Sequence, residues 1–190
     1  AAPDRVIASW GHASGINISG IDPKTGEQYV TMILASIISG AGATQQMDGW
    51  HACGPLCCFG ALSSGDIELL EYQYPILIHK YGLAEDSGGA GEYRGGCGTV
   101  WEVEPLGHEM TVVAFGEGRE HPTMGAAGAE QISPELKLGR LEIIHQDGVT
   151  DLYKQNTVTE IQPGDRARNT NPGGGGYGSS FDRDIQAVIK

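Results

Sequence analysis

Glu85-Asp86-Ser87-Gly88-Gly89-Ala90-Gly91-Glu92-Tyr93-Arg94-Gly95-Gly96-Cys97-Gly98 runs straight into Thr99-Val100-Trp101-Glu102-Val103. Six of the fourteen residues in the first segment are glycine. Glycine this dense permits tight turns and close backbone approach, and the β-branched and aromatic run after it reads as a strand. The segment is therefore a crossover into a sheet. A dinucleotide fingerprint needs G-x-G-x-x-G opening a helix, whereas Gly89, Gly91 and Gly95 carry one residue too many and lead into a strand. Two readings stay open. Converging N–H groups and Arg94 form an anion or partner contact, or the glycines shape a turn locked by a partly buried Asp86–Arg94 pair.

Outward from this segment the pattern stays β-rich. Ile16-Asn17-Ile18-Ser19 alternates as a half-buried strand does, and Asp22-Pro23-Lys24-Thr25-Gly26 is a turn. Residues 29–38 read as a strand. Residues 40–64 form a long loop with at most one helical turn, and residues 66–81 are mixed, ending in a strand over 74–79. Thr99–Val103 and Met110–Phe115 read as a strand pair joined across Pro105-Leu106-Gly107, and residues 116–135 are irregular. Leu141–His145 and Val149–Tyr153 flank Gln146-Asp147-Gly148, a hairpin signal. Asn171-Pro172-Gly173-Gly174-Gly175-Gly176-Tyr177-Gly178 is a second glycine loop, in which positive φ at Gly174 or Gly175 would bar a branched side chain. Ser179 with Asp182 signals a helix start, and Phe181, Ile185, Val188 and Ile189 share one helical face. The expectation is a single α+β domain, β-dominated, with glycine-rich loops and a C-terminal helix.

The chain has 190 residues, 30 of them glycine, and a formal net charge of -12, which disfavours a nucleic-acid partner. No stretch approaches the length of a membrane span and no signal peptide is evident. Cys53, Cys57, Cys58 and Cys97 lack zinc-site spacing and are expected as reduced thiols in a cytoplasmic protein. The second glycine loop lacks the Lys-Ser/Thr pair of a phosphate loop. Gly40-Ala41-Gly42-Ala43-Thr44-Gln45-Gln46-Met47-Asp48-Gly49-Trp50-His51 holds a carboxylate and an imidazole three residues apart. Asp48 and His51 are the candidate catalytic acid–base residues. Asp86 and Arg94 are the candidate substrate or interface residues. The other histidines are scattered, with no H-x-H or H-E-x-x-H spacing. No metal ligand is assigned.

Taken in order, these motifs form a recognisable series. It runs from Ala2-Pro3-Asp4-Arg5-Val6 through Gly40–Ala43 with Asp48-Gly49 and Glu71–Pro75 to Asp86–Gly96. Pro163-Gly164-Asp165 and Asn171–Gly178 close it. The series resembles the C-terminal portion of B-type subunits of the hydantoinase/oxoprolinase family, across nearly the whole chain. The resemblance implies a heteromeric complex in which a sugar-kinase-like A-type subunit uses ATP and magnesium to phosphorylate a cyclic amide or a ketone enolate. The B-type subunit then completes ring-opening hydrolysis, or carboxylation in the acetone and acetophenone branch. It implies a divalent metal in the N-terminal part of the B-type subunit, outside these residues. Gly65-Asp66-Ile67-Glu68 with Pro75-Ile76-Leu77 resembles the ketone-carboxylase branch, while Cys53–Cys58 departs from the family pattern. A third alternative is a non-catalytic scaffold segment that docks the A-type partner.

Overall fold

The computed structural model describes residues 6–54, 62–130 and 138–188. Ala2–Arg5 of the opening motif, Cys57, Cys58 and Ile189 lie outside the described residues.

Among the described residues, nine strands form two antiparallel sheets. The strands are β1 Ser14–Ile21, β2 Gln28–Met32, β3 Ile76–Leu83, β4 Thr99–Pro105, β5 Met110–Gly116, β6 Arg140–Ile144, β7 Thr150–Tyr153, β8 Thr157–Ile161 and β9 Arg166–Thr170. One sheet has the order β2-β1-β5-β8 and the other β3-β4-β9-β6-β7. Alternation aims Ile16 and Ile18 of β1, Val112 and Ala114 of β5 and Ile161 of β8 inward from the first sheet. Trp101 and Val103 of β4, Leu141 and Ile143 of β6 and Ala167 of β9 meet them from the second. These residues make one buried cluster, so the sheets share a single sandwich core.

The expected β1 strand, the 22–26 turn and the β6–β7 hairpin are present. Gly148 supplies φ +85° in that hairpin, and its N–H bonds the His145 carbonyl at 3.0 Å. Three other expectations change. Residues 29–38 do not continue as a strand: β2 stops at Met32 and a 3-10 turn, Leu34–Ile37, follows. Ser36 causes the break, because its hydroxyl accepts the Ile16 N–H at 3.0 Å and caps the end of the ladder. β4 and β5 do not pair with each other. Both edges of β4 are taken by β3 and β9, and both edges of β5 by β1 and β8. Pro105-Leu106-Gly107 is therefore a corner between sheets, with φ +74° at Gly107 and the Leu106 N–H donated to Pro75. The mixed segment contains a helix, α1 Ile67–Gln73, capped by the Asp66 carboxylate accepting the Leu69 N–H. Glu71 on α1 accepts the Ile78 N–H at 2.7 Å where a bulge interrupts the β3 ladder.

The C-terminal helical segment is present in two pieces, a 3-10 turn at Ser180–Asp182 and a one-turn helix, α2 Ile185–Val188. The chain is extended at Arg183 between them. Phe181, Ile185 and Val188 are all exposed.

Candidate functional site

Three loops converge at one end of the sandwich: residues 39–54, 84–98 and 171–178. They pack backbone on backbone. The Gly96 N–H donates to Ala41, Gly174 to Gly96, Gly89 to Gly174, Ala43 to Gly175 and Gly175 to Ser9, all at 2.7–2.9 Å. Tyr93 and Tyr177 exchange two bonds in the same stack. A Cβ on Gly95 would fall on the Gly174 carbonyl, and one on Gly174 would fall on the Ala41 carbonyl. Gly174 and Gly175 do not have positive φ. Their requirement is space, not backbone angle. The N–H groups of Gly89, Gly95, Gly96, Gly174 and Gly175 are thereby spent on backbone carbonyls.

Asp48 sits on the rim of this stack. Its Oδ1 accepts the Arg94 N–H at 2.7 Å and Arg183 Nη1 at 2.9 Å, and its Oδ2 accepts Arg183 Nη2 at 2.8 Å. Arg183 also donates to the Glu92 carbonyl at 2.9 Å. The carboxylate is a clasp joining three segments, with a bidentate guanidinium as its main partner. The Arg183 hydrogen bonds hold its pKa below the ordinary carboxylate value. His51 is exposed and its Nδ1 accepts the Cys97 N–H at 2.8 Å. The loop thus turns Asp48 and His51 to different partners, and no hydrogen bond joins them. Arg183 had no sequence signal, because its partner lies 135 positions away.

Arg94 and Asp86 do approach, with Nη2 3.6 Å from Oδ1. The pair is not partly buried as expected, since the Asp86 side chain is 96% exposed. The glycines that flank it pack against other backbone and leave the carboxylate in water. The pair contributes no more than an exposed ion pair, about 0–1 kcal/mol.

The clasp has a pH signature. A folded-state pKa below the ordinary value means its stabilisation is complete above about pH 4 and lost as the solution becomes more acidic. Asp48 is 48% exposed, so Asp48→Asn is expected to cost only about 1 kcal/mol, or roughly 2–4 °C in Tm at pH 7. Thermal denaturation at pH 7 and pH 3 checks this. The gap between wild type and variant should close at the lower pH, and an unchanged gap would mean the carboxylate charge is irrelevant.

Cys53 and Cys97 are buried free thiols. Trp10 Nε1 donates to Cys53 Sγ at 3.1 Å, and burial raises the Cys53 pKa. Among the described residues no group of three His, Cys, Asp or Glu side chains is placed to hold a metal ion. No helix among them is long and apolar enough to cross a membrane.

A second polar centre lies between the sheets. Asn169 occupies an inward position on β9, in register with Trp101 and Leu141. Its amide donates to the carbonyls of Ser14 and Ser36, and its Oδ1 accepts Arg119 Nη2 at 2.9 Å. Asn171 extends this network to the Ile38 carbonyl and the Thr99 hydroxyl. Sequence reasoning missed it, because Asn and Arg in weakly apolar segments give no periodic signal.

Comparison with known proteins agrees with the motif series. The hydantoinase B/oxoprolinase family model matches residues 1–180. Caprolactamase subunit beta of Pseudomonas jessenii is 66% identical over 190 residues, covering all of this chain and 33% of the relative. The crystal structure of ATP-dependent caprolactamase from the same organism superposes with TM-score 0.87 and 58% identity, over 100% of this chain and 33% of that one. A nucleotide-free structure of acetone carboxylase shares the fold, with TM-score 0.74 and 22% identity over 95% of this chain and 28% of the other. The chain spans about one third of the length of the caprolactamase subunit it matches. With its glycine motifs stacked in the order described, the chain belongs to the hydantoinase B/oxoprolinase family.

Proposed function

We propose that residues 1–190 are the C-terminal portion of a B-type subunit in an ATP-dependent complex that opens a cyclic amide. The observation that carries this reading is the 66% identity to caprolactamase subunit beta along the entire chain. The 22% likeness to acetone carboxylase speaks only to fold, so hydrolysis is preferred over carboxylation. The A-type partner binds ATP and magnesium and activates the amide by phosphorylation. The divalent metal belongs to the remainder of the B-type subunit. The complex is a cytoplasmic hetero-oligomer. Within it this portion is chiefly a scaffold: the glycine stack and the Asp48–Arg183 clasp fix loop positions, and Asp86 and Arg94 face the partner or substrate. Asp48 and His51 act by positioning loops, a role supported by their occupied hydrogen-bond acceptors.

The test is a substrate screen of the complete complex, measuring ADP release with lactams, hydantoins, 5-oxoproline, and ketones plus bicarbonate. Lactam-stimulated ADP release is the expected result. Stimulation by ketone and bicarbonate alone would replace this reading with the carboxylase one.

A further inference from the structure

Strand alternation in the first sheet turns one set of side chains into the core and the other set outward. Register places Met32 of β2, Asn17 of β1, Val113 of β5 and Val158 of β8 in one outward row across all four strands. Val30 on β2 belongs to the next outward row, and Phe115 on β5 to the row on the other side. Five of these six side chains are apolar. Val30 and Val158, on the two edge strands, are 68% and 66% exposed, and Met32 is 44% exposed. The core accounts for none of these residues. The second sheet differs. Its outward row is Lys80, Glu102, Arg168 and Glu142, with Glu102 held by Arg168 and Arg166 at 2.7 and 2.6 Å. An antiparallel sheet with one solvated face carries polar side chains there, as the second sheet does. An apolar row across a whole sheet marks a contact surface.

Three observations favour one occupant. The chain covers 33% of the caprolactamase subunit it matches, so about two thirds of that subunit lies outside the match. Residues 8–13 lead directly into β1, a central strand of this sheet, so polypeptide preceding the chain is delivered to the first sheet and not to the second. A segment tethered in this way reaches the face at high effective concentration. A second copy is opposed by charge, since each chain carries -12.

We propose that the outer face of the first sheet is the seat on which the remainder of the same B-type subunit packs, through an apolar surface set against Val30, Met32, Val113 and Val158. The proposal rests on the functional reading in taking the chain as a portion of a B-type subunit. An apolar contact between parts of one subunit suppresses their relative motion. The seat therefore fixes the sandwich, and with it the glycine-stacked loops at its end, to the rest of the subunit.

The test uses the complete complex and the complete B-type subunit alone. The four methionines report on coverage without any substitution: Met110 is fully buried, and Met32, Met47 and Met124 are exposed in this chain. Hydrogen peroxide oxidation followed by peptide mass spectrometry gives a rate for each. Met32 is expected to oxidise at least about 10-fold more slowly in the folded subunit than in the urea-unfolded one, in the subunit alone as well as in the complex. The occupant is identified by placing the photocrosslinker p-benzoylphenylalanine at position 158 of the complete complex, and separately at position 30. Cross-links to residues of the same subunit outside this chain, at the mass of one subunit, are expected. Cross-links to the A-type subunit or to a second B-type subunit overturn the proposal. So does protection of Met32 that appears only when the A-type subunit is added, or a Met32 as reactive in the complex as in urea. ADP release is measured on the same preparation. Lactam-driven turnover with an open Met32 keeps the functional reading and loses this one.

Discussion

Gly95→Ala is expected to prevent folding or to lower Tm by about 6–12 °C, corresponding to roughly 3 kcal/mol in a domain of this size. The added methyl would overlap the Gly174 carbonyl and lie 2.8 Å from the Gly175 oxygen. Those atoms are backbone, held by the Gly174–Gly96 and Gly89–Gly174 hydrogen bonds, so no side chain can rotate away. Relief requires separating the 84–98 loop from the 171–178 loop. Gly65 provides the control. A Cβ there meets nothing within 4 Å, and its φ is ordinary, so Gly65→Ala is expected to be neutral or slightly stabilising. Differential scanning calorimetry of both variants checks the pair. A Gly95→Ala protein melting with wild type would show that the loops are not in contact.

Trp101→Ala should have a comparable effect, about 3–5 kcal/mol, because it empties the largest fully buried side chain of the core. Trp101 is fully buried on β4, and its ring centroid lies 5.1 Å from that of Tyr81. Its indole N–H has no acceptor. Trp101→Phe therefore loses packing but no hydrogen bond, and should cost only about 1–2 kcal/mol. Urea denaturation of the two variants measures the difference. Equal costs would mean that the indole N–H, not ring volume, holds β4 in place.

Part of the fold was legible in the sequence. The alternation in Ile16–Ser19 and the Asp147-Gly148 turn identify β1 and the β6–β7 hairpin, because each signal is local. β9 was illegible. It is a central strand, yet Arg166-Ala167-Arg168-Asn169-Thr170 offers only alanine and asparagine to the core. Its arginines instead cover the buried carboxylate of Glu102 on the neighbouring strand, at 2.6 and 2.7 Å. α1 was also hidden, since seven residues with no buried side chain give too short a period.

The candidate site was half legible. The glycine motifs were conspicuous, and their order carries the family. Their cause was not. Sequence suggested turns or anion-binding N–H groups, whereas the glycines are required by strand-like loops packing through their backbones. Such contact depends on residues some 80 positions apart, as with Gly89 and Gly174, which no local pattern records. Asp48 stood out beside His51 in sequence, and its true partner, Arg183, came only from the folded chain.

The proposed part of this chain in ATP-driven opening of a cyclic amide can be tested on the complete complex. The most direct test counts ADP and ring-opened amino acid in the same reaction, using the complete complex with a lactam and, in parallel, with acetone and labelled bicarbonate. Amino acid formation in fixed proportion to ADP is expected, with no label fixed into product. Labelled carboxylate formed from the ketone, with the lactam left intact, would contradict it.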